Sequence, residues 1–173
     1  MRHGQRAAVV IFLSILLTQQ LALTQSAALD QLLGVWHLAR VEAVRQDKST
    51  FVPFGSTVSG QLVYSANGQM LVAWSAGNRR KAANPSRPTS EDIASWFAGF
   101  DAYWGTFEVN QDVVTHHVKG AVDPSLVGTD RVRTFELRGG ELILTVAPFP
   151  CWWQLAAQCA PDEPVGFRFT WQR

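Results

Sequence analysis

The chain lacks the signatures of nucleophilic and phosphate chemistry: it has no G-x-S-x-G elbow, no P-loop, no glycine fingerprint for dinucleotides and no H-E-x-x-H. Enzymes built on those arrangements are excluded, and any reaction would have to be cavity chemistry without metal or nucleotide cofactor. Charge imbalance is also missing. Lys and Arg number 15 against 14 Asp and Glu, so nucleic acid and acidic membrane surfaces are not expected partners. No apolar run is long enough to span a bilayer comfortably: the longest, Ala7 to Leu17, falls short of the roughly 20 residues a membrane helix needs. Behind Arg2 and Arg6 and ahead of Ser26-Ala-Ala28, it reads instead as a secretory signal cleaved near Ala28, with an uncleaved anchor as the alternative. Residues 1–28 are thus assigned to the signal and 29–173 to one domain with a sizeable core and no stable membrane insertion.

Cysteine is scarce. The two residues, Cys151 and Cys159, lie close together in a chain expected to be periplasmic or secreted. Such a pair is expected to close a disulfide around Trp152-Trp153, stabilising by roughly 2–3 kcal/mol if unstrained. Free or metal-binding thiols are the alternative, but the C-x-x-C spacing and histidine partners of a zinc site are absent.

What is present is a succession of short strands. Eight segments alternate or are rich in β-branched and aromatic residues: Gly34 to Ala43, Gly60 to Ser65, Gln69 to Ser75, Trp104 to Val109, Val113 to Gly120, Asp130 to Leu137, Glu141 to Val146 and Gly166 to Gln172. Ala66-Asn67-Gly68 and Arg138-Gly139-Gly140 have hairpin-turn composition. Eight antiparallel strands at regular spacing predict an all-β up-and-down barrel, or a sandwich. One segment departs from this pattern. Between Thr89 and Phe100, the side chains of Ile93, Trp96, Phe97 and Phe100 recur at helical spacing, with Thr89 or Ser90 to cap and Glu91 and Asp92 in the first turn. An amphipathic helix laying an aromatic stripe on the barrel is expected. The loop before it carries Arg79, Arg80, Lys81 and Arg87, either as a solvated loop or as a basic rim at a ligand entrance.

Strand parity places the polar groups. Around the turn Asn110-Gln-Asp112, Phe107 and Val109 share a face with Val114, His116 and Val118, while Thr106, Glu108, Thr115 and His117 take the other. His116 therefore belongs inside, unless a one-residue slip exchanges it with His117. The two histidines point to opposite faces and cannot chelate one metal, so none is expected. Farther along, Phe135 and Leu137 share parity with Arg131 and Arg133, which then look into the interior or its mouth. A buried guanidinium needs a carboxylate, a carbonyl, an aromatic ring or an anionic ligand. Glu42, Glu108 and Asp130 are the acids nearest the strand ends.

Several stretches in order carry a resemblance: Leu33-Gly-Val-Trp36, Pro53-Phe-Gly55, Gly60-Gln-Leu-Val-Tyr64 with Asn67-Gly-Gln-Met70, Tyr103-Trp-Gly-Thr-Phe-Glu-Val109, Val114-Thr-His-His-Val118 and Gly128-Thr-Asp-Arg-Val-Arg133. Together they resemble the lipocalin-like domain family of bacteria and fungi, within the calycin group of small-ligand-binding barrels. The resemblance implies a barrel closed at one end by Trp36, with a late arginine, Arg168 or Arg173, over the indole. It implies no reaction, so no catalytic residue is carried over.

The expected function is binding of a small, largely hydrophobic molecule, with an anionic or carbonyl group turned to Arg131 and Arg133. The candidate lining is Tyr64, Met70, Trp74, Tyr103, Phe107, His116, Arg131 and Arg133. A cavity-type isomerase or cyclase in which His116 moves a proton is one alternative. Another is an envelope interaction protein with a solid core, using Trp152 and Trp153 as its contact patch.

Overall fold

The computed structural model describes residues 28–151, 158–160 and 162–173; all but the last residue of the expected signal segment 1–28, and the Trp152-Trp153 pair, lie outside them. Strand β1 (Gly34–Val44) is followed by β2 (Thr50–Phe51), β3 (Val58–Tyr64) and β4 (Gln69–Ala76). After helix α1 (Ser90–Ala98) come β5 (Phe100–Asn110), β6 (Val113–Ala121), β7 (Asp130–Arg138), β8 (Glu141–Pro150) and β9 (Pro164–Gln172). Every pairing is antiparallel, and β1 pairs with β3 on one side and β9 on the other. Eight strands thereby close into an up-and-down barrel and leave no long free edge. The ninth, β2, is two residues that pair only with Ala43 and Val44 of β1.

Alternation decides what fills the barrel. On β1, Trp36 and Leu38 point inward, then Val41 and Ala43, a change of parity absorbed by an irregularity between Leu38 and Arg40. The β3–β4 and β7–β8 hairpins turn on Gly68, Gly139 and Gly140, all at positive φ, where the turn signals predicted them. Trp36, for which the family resemblance implies a barrel-closing place, is buried. Its indole N–H donates to the Leu32 carbonyl at 2.8 Å, and the Arg173 guanidinium lies 4.3 Å above the ring while donating to the carbonyls of Gln31 and Leu33. Arg168 lies instead 3.8 Å from Glu42. Cys151 and Cys159 are joined in a disulfide with their Cα atoms 6.1 Å apart.

The helix corrects an expectation. Its start is capped as predicted, by a reciprocal box in which Thr89 accepts from the Asp92 N–H and the Asp92 carboxylate accepts from Thr89 N–H. It lays no aromatic stripe on the barrel: Ile93 is 41% and Phe97 50% exposed, and Asp92 is its only buried residue. The reason lies in the anchoring. Arg80 pairs with Glu91 and Asp92, and the Trp96 indole donates to the Arg80 carbonyl, so the helix is tied to the preceding loop. Phe100, the last residue of the expected stripe, is the first of β5 and pairs with Ser75.

Where β5 and β6 shift register, Gly105 lets the two backbones approach: a Cβ there would stand 1.9 Å from the His117 carbonyl oxygen. Gly105→Ala is therefore expected to destabilise the barrel by about 1–3 kcal/mol. At about 2–4 °C per kcal/mol for a domain of this size, circular-dichroism melting should show a clear drop. An unchanged midpoint would mean the close approach is not a constraint on the fold.

Candidate functional site

Three neighbouring strands bring the polar groups together. His116 pairs with Phe107 on β5 and with Arg131 on β7, and Val114 pairs with Arg133. The inward row of β5 adds Asp101 and Tyr103. His116, Arg133, Asp101 and Tyr103 are all buried, and Arg131 is half-buried. They face a chamber in which about 40 Å³ admits the centre of a water molecule. At about 10–15 Å³ for each water held, the side chains as they stand leave room for a few waters. Its remaining lining is apolar and largely aromatic, with Trp74, Phe149, Phe167, Phe169 and Trp171 among the contributors.

Both ring nitrogens of His116 are engaged. Tyr64 Oη lies 2.6 Å from Nε2 and Tyr103 Oη 2.9 Å from Nδ1. Burial first, then the charges of Arg133, Arg131 and His117, push the imidazole well below its ordinary value of 6.5. A neutral ring has one donor and one acceptor nitrogen. Tyr64 is fully enclosed, is kept protonated by burial, and among the described residues has no other partner for its hydroxyl proton, so that proton goes to Nε2. Nδ1–H then donates to Tyr103 Oη, and the Tyr103 O–H remains free on the chamber wall. The trio is a polarised chain whose last donor faces the cavity.

The guanidinium groups are poorly compensated. Arg131 stacks over the Tyr103 ring at 5.3 Å, but its buried Nε has no hydrogen-bond partner. Arg133 spends one N–H on the Val132 carbonyl at 2.9 Å, and burial pulls it below its ordinary value. Among the described residues neither forms an ion pair. The acid that senses them is Asp101, raised above its ordinary value by burial although both arginines pull the other way. The indole N–H of Trp171 is a second buried donor without an acceptor.

Of the sequence-predicted lining, Trp74, Tyr103, His116, Arg131 and Arg133 border the chamber. Tyr64, Met70 and Phe107 are buried but do not border it; Tyr64 packs on Phe107 and supports His116 from behind. The acids named from sequence lie elsewhere. Glu42 pairs with Arg40 and Arg168, while Glu108 and Asp130 flank His117 on the outer face at 3.8 and 2.6 Å. Sequence reasoning missed Asp101 because its segment was read as lying between helix and strand; its two-residue offset from Tyr103 was the available signal. The loop cations form no rim to this chamber: Arg79 lies over Phe100, and Arg79, Arg80 and Lys81 line a separate open cleft beside Trp96.

The closed eight-stranded barrel with an apolar chamber and a small inward polar cluster defines a calycin-type barrel. The chain belongs to the lipocalin-like domain family, whose family model matches residues 33–173. Among solved structures, "Structure of EF1p2_mFAP2b bound to DFHBI" is similar at 15% identity and a TM-score of 0.40, covering 87% of this chain and 98% of that one. No curated protein matches the chain.

The histidine trio carries a pH signature. Because the folded-state value lies below 6.5, the unfolded chain takes up a proton at His116 as pH falls through 6.5 while the folded chain does not. Stability from this residue should therefore fall on acidification, by up to about 1.4 kcal/mol per pH unit, until the folded ring itself titrates. Nitrogen-15 spectra of the folded protein should show a ring protonated at Nδ1 and bare at Nε2 at neutral pH. An imidazolium, or a proton on Nε2, would contradict the assignment.

Proposed function

We propose that this protein is an exported carrier whose barrel holds one small, largely hydrophobic molecule, with an anionic or carbonyl oxygen turned toward Arg131 and Arg133. The observation that carries this is the chamber with two guanidinium groups in its wall that form no ion pair among the described residues, one of them with a buried N–H that has no acceptor there. A buried donor without an acceptor costs about 1–3 kcal/mol, and a ligand oxygen would remove that cost. An apolar pocket with a few convergent polar groups is the usual form of a small-molecule site, and membership of the lipocalin-like family supports the same use. Trp74, Tyr103, His116, Arg131 and Arg133 would touch the ligand; Tyr64, Met70 and Phe107 would shape the wall from behind. The space present holds only a few waters, so in this proposal the ligand enters by moving side chains of the wall.

Export is part of the proposal. The leader would be cleaved near Ala28, leaving Leu29 as the first residue, and the Cys151–Cys159 disulfide suits an oxidising compartment. No described helix is long and apolar enough to cross a membrane. Intact mass of the secreted protein should begin at or near Leu29.

One observation favours a second function, a cavity isomerase or cyclase: the Tyr103 hydroxyl is a donor on the wall with His116 behind it. Both His116 nitrogens are occupied, so a proton would pass through Tyr103. Product analysis with wild type and His116→Ala decides it, since unchanged conversion removes the histidine from any mechanism. For the carrier, titration with cyclohexanone should quench tryptophan emission to a plateau at one molecule per chain, because Trp74 and Trp171 border the chamber. Quenching that rises without saturating would speak against an internal site.

A further inference from the structure

We infer that the occupant is a planar aromatic acid, bound as its carboxylate with the ring on the β8–β9 wall and the oxygens toward Arg131 and Tyr103. This rests on the carrier function proposed above and names the class of its ligand.

The shape comes from the aromatic wall. Phe149, Phe167, Phe169 and Trp171 follow one another at centroid distances of 5.6, 6.2 and 6.5 Å, with interplanar angles of 26, 30 and 19°. Three of them are alternate residues of β9, so one strand face presents successive, nearly parallel rings. Trp74 meets Phe169 at 61°, adding an edge-on contact beside that stacked row. Offset stacking on the faces and edge-on contact with the indole are the two arrangements aromatic rings prefer. A flat unsaturated guest satisfies both, whereas a puckered aliphatic ring satisfies neither.

The charge comes from the facing wall. In the ring of eight strands, β5 lies four strands from β9 in either direction, so the inward side chains of β5 look across the chamber at the aromatic row. That wall offers the Tyr103 O–H, left free by the tautomer of His116, and beside it the Arg131 Nε–H without an acceptor. On the aromatic wall itself, the Trp171 N–H is a further buried donor without an acceptor among the described residues. A carboxylate is the matching species, because it only accepts, has two oxygens, and takes a guanidinium in bidentate fashion. A neutral carbonyl offers a single acceptor oxygen and leaves the positive charge where it was. Within the lining two guanidinium groups stand against the single carboxyl of Asp101, while Asp123, outside the lining, also bears on Arg131.

Benzoate, benzamide and cyclohexanecarboxylate separate the components when titrated calorimetrically into the mature protein. Benzoate should bind saturably, with benzamide weaker by about tenfold or more, as expected on removing a charge-assisted pair. Cyclohexanecarboxylate should bind more weakly than benzoate, since it keeps the charge and loses the plane. Arg131→Met should weaken benzoate to the level of benzamide and leave benzamide nearly unchanged. Asp101→Asn should tighten benzoate, because it removes the one carboxylate in the wall; a residue with a merely structural role would give no gain, and the near-isosteric change keeps the test valid even if the arginine variant fails to fold. Equal affinity for benzoate and benzamide, or weaker benzoate binding in Asp101→Asn, would overturn the inference. If neither aromatic binds while cyclohexanone saturates the site, the aromatic acid is wrong and the carrier stands; if none of the probes binds, both fall.

Discussion

In a closed ring of antiparallel strands a side chain has two places to go, and the register between β5, β6 and β7 decides which for every polar group in the interior. Phe107 opposite His116, and His116 opposite Arg131, fix that register. A slip of one residue would send His117, Asp130 and Glu108 inside and turn the whole apolar row outward. The outer set is satisfied where it is, because His117 sits between the two acids on the solvent face. The inner set is satisfied only in part: His116 is saturated by two tyrosines, while the arginines beside it keep donors in reserve.

That contrast gives the two halves of the cluster different tasks. Tyr64 and His116 form a finished hydrogen-bonded unit, neutral and buried, of the kind that pins a unique core. Arg131, Arg133 and Tyr103 are unfinished, and they border a part of the interior that side chains leave open. An interior of low polarity does not tolerate unpaired cations without cause. A site that waits for an acceptor explains them with no further assumption, and the aromatic row across the chamber supplies the apolar half of the same guest's environment.

Much of this was legible in the amino-acid order. The eight long strands, the glycine turns, the inward His116 and the shared face of Arg131 and Arg133 all follow from period-two alternation, which survives in any barrel whose hairpins are tight. The pairing of Trp36 with a late arginine followed from the family resemblance, and the choice of Arg173 over Arg168 needed coordinates. Three features escaped for identifiable reasons. The helical spacing of Ile93, Trp96, Phe97 and Phe100 ran across a helix end, so a strand residue was counted into the stripe. Asp101 was hidden by the same boundary. The aromatic wall lies within an expected strand, but the alignment of Phe149 with Phe167 depends on the irregular register of β8 and β9, which no local pattern encodes.

The most direct test of a barrel with two inward guanidinium groups is native mass spectrometry of the protein purified from its own host. The account predicts one small acidic molecule retained per chain, released on denaturation and absent from Arg131→Met. A bare polypeptide mass in every preparation, with no molecule recovered on denaturation, would contradict it.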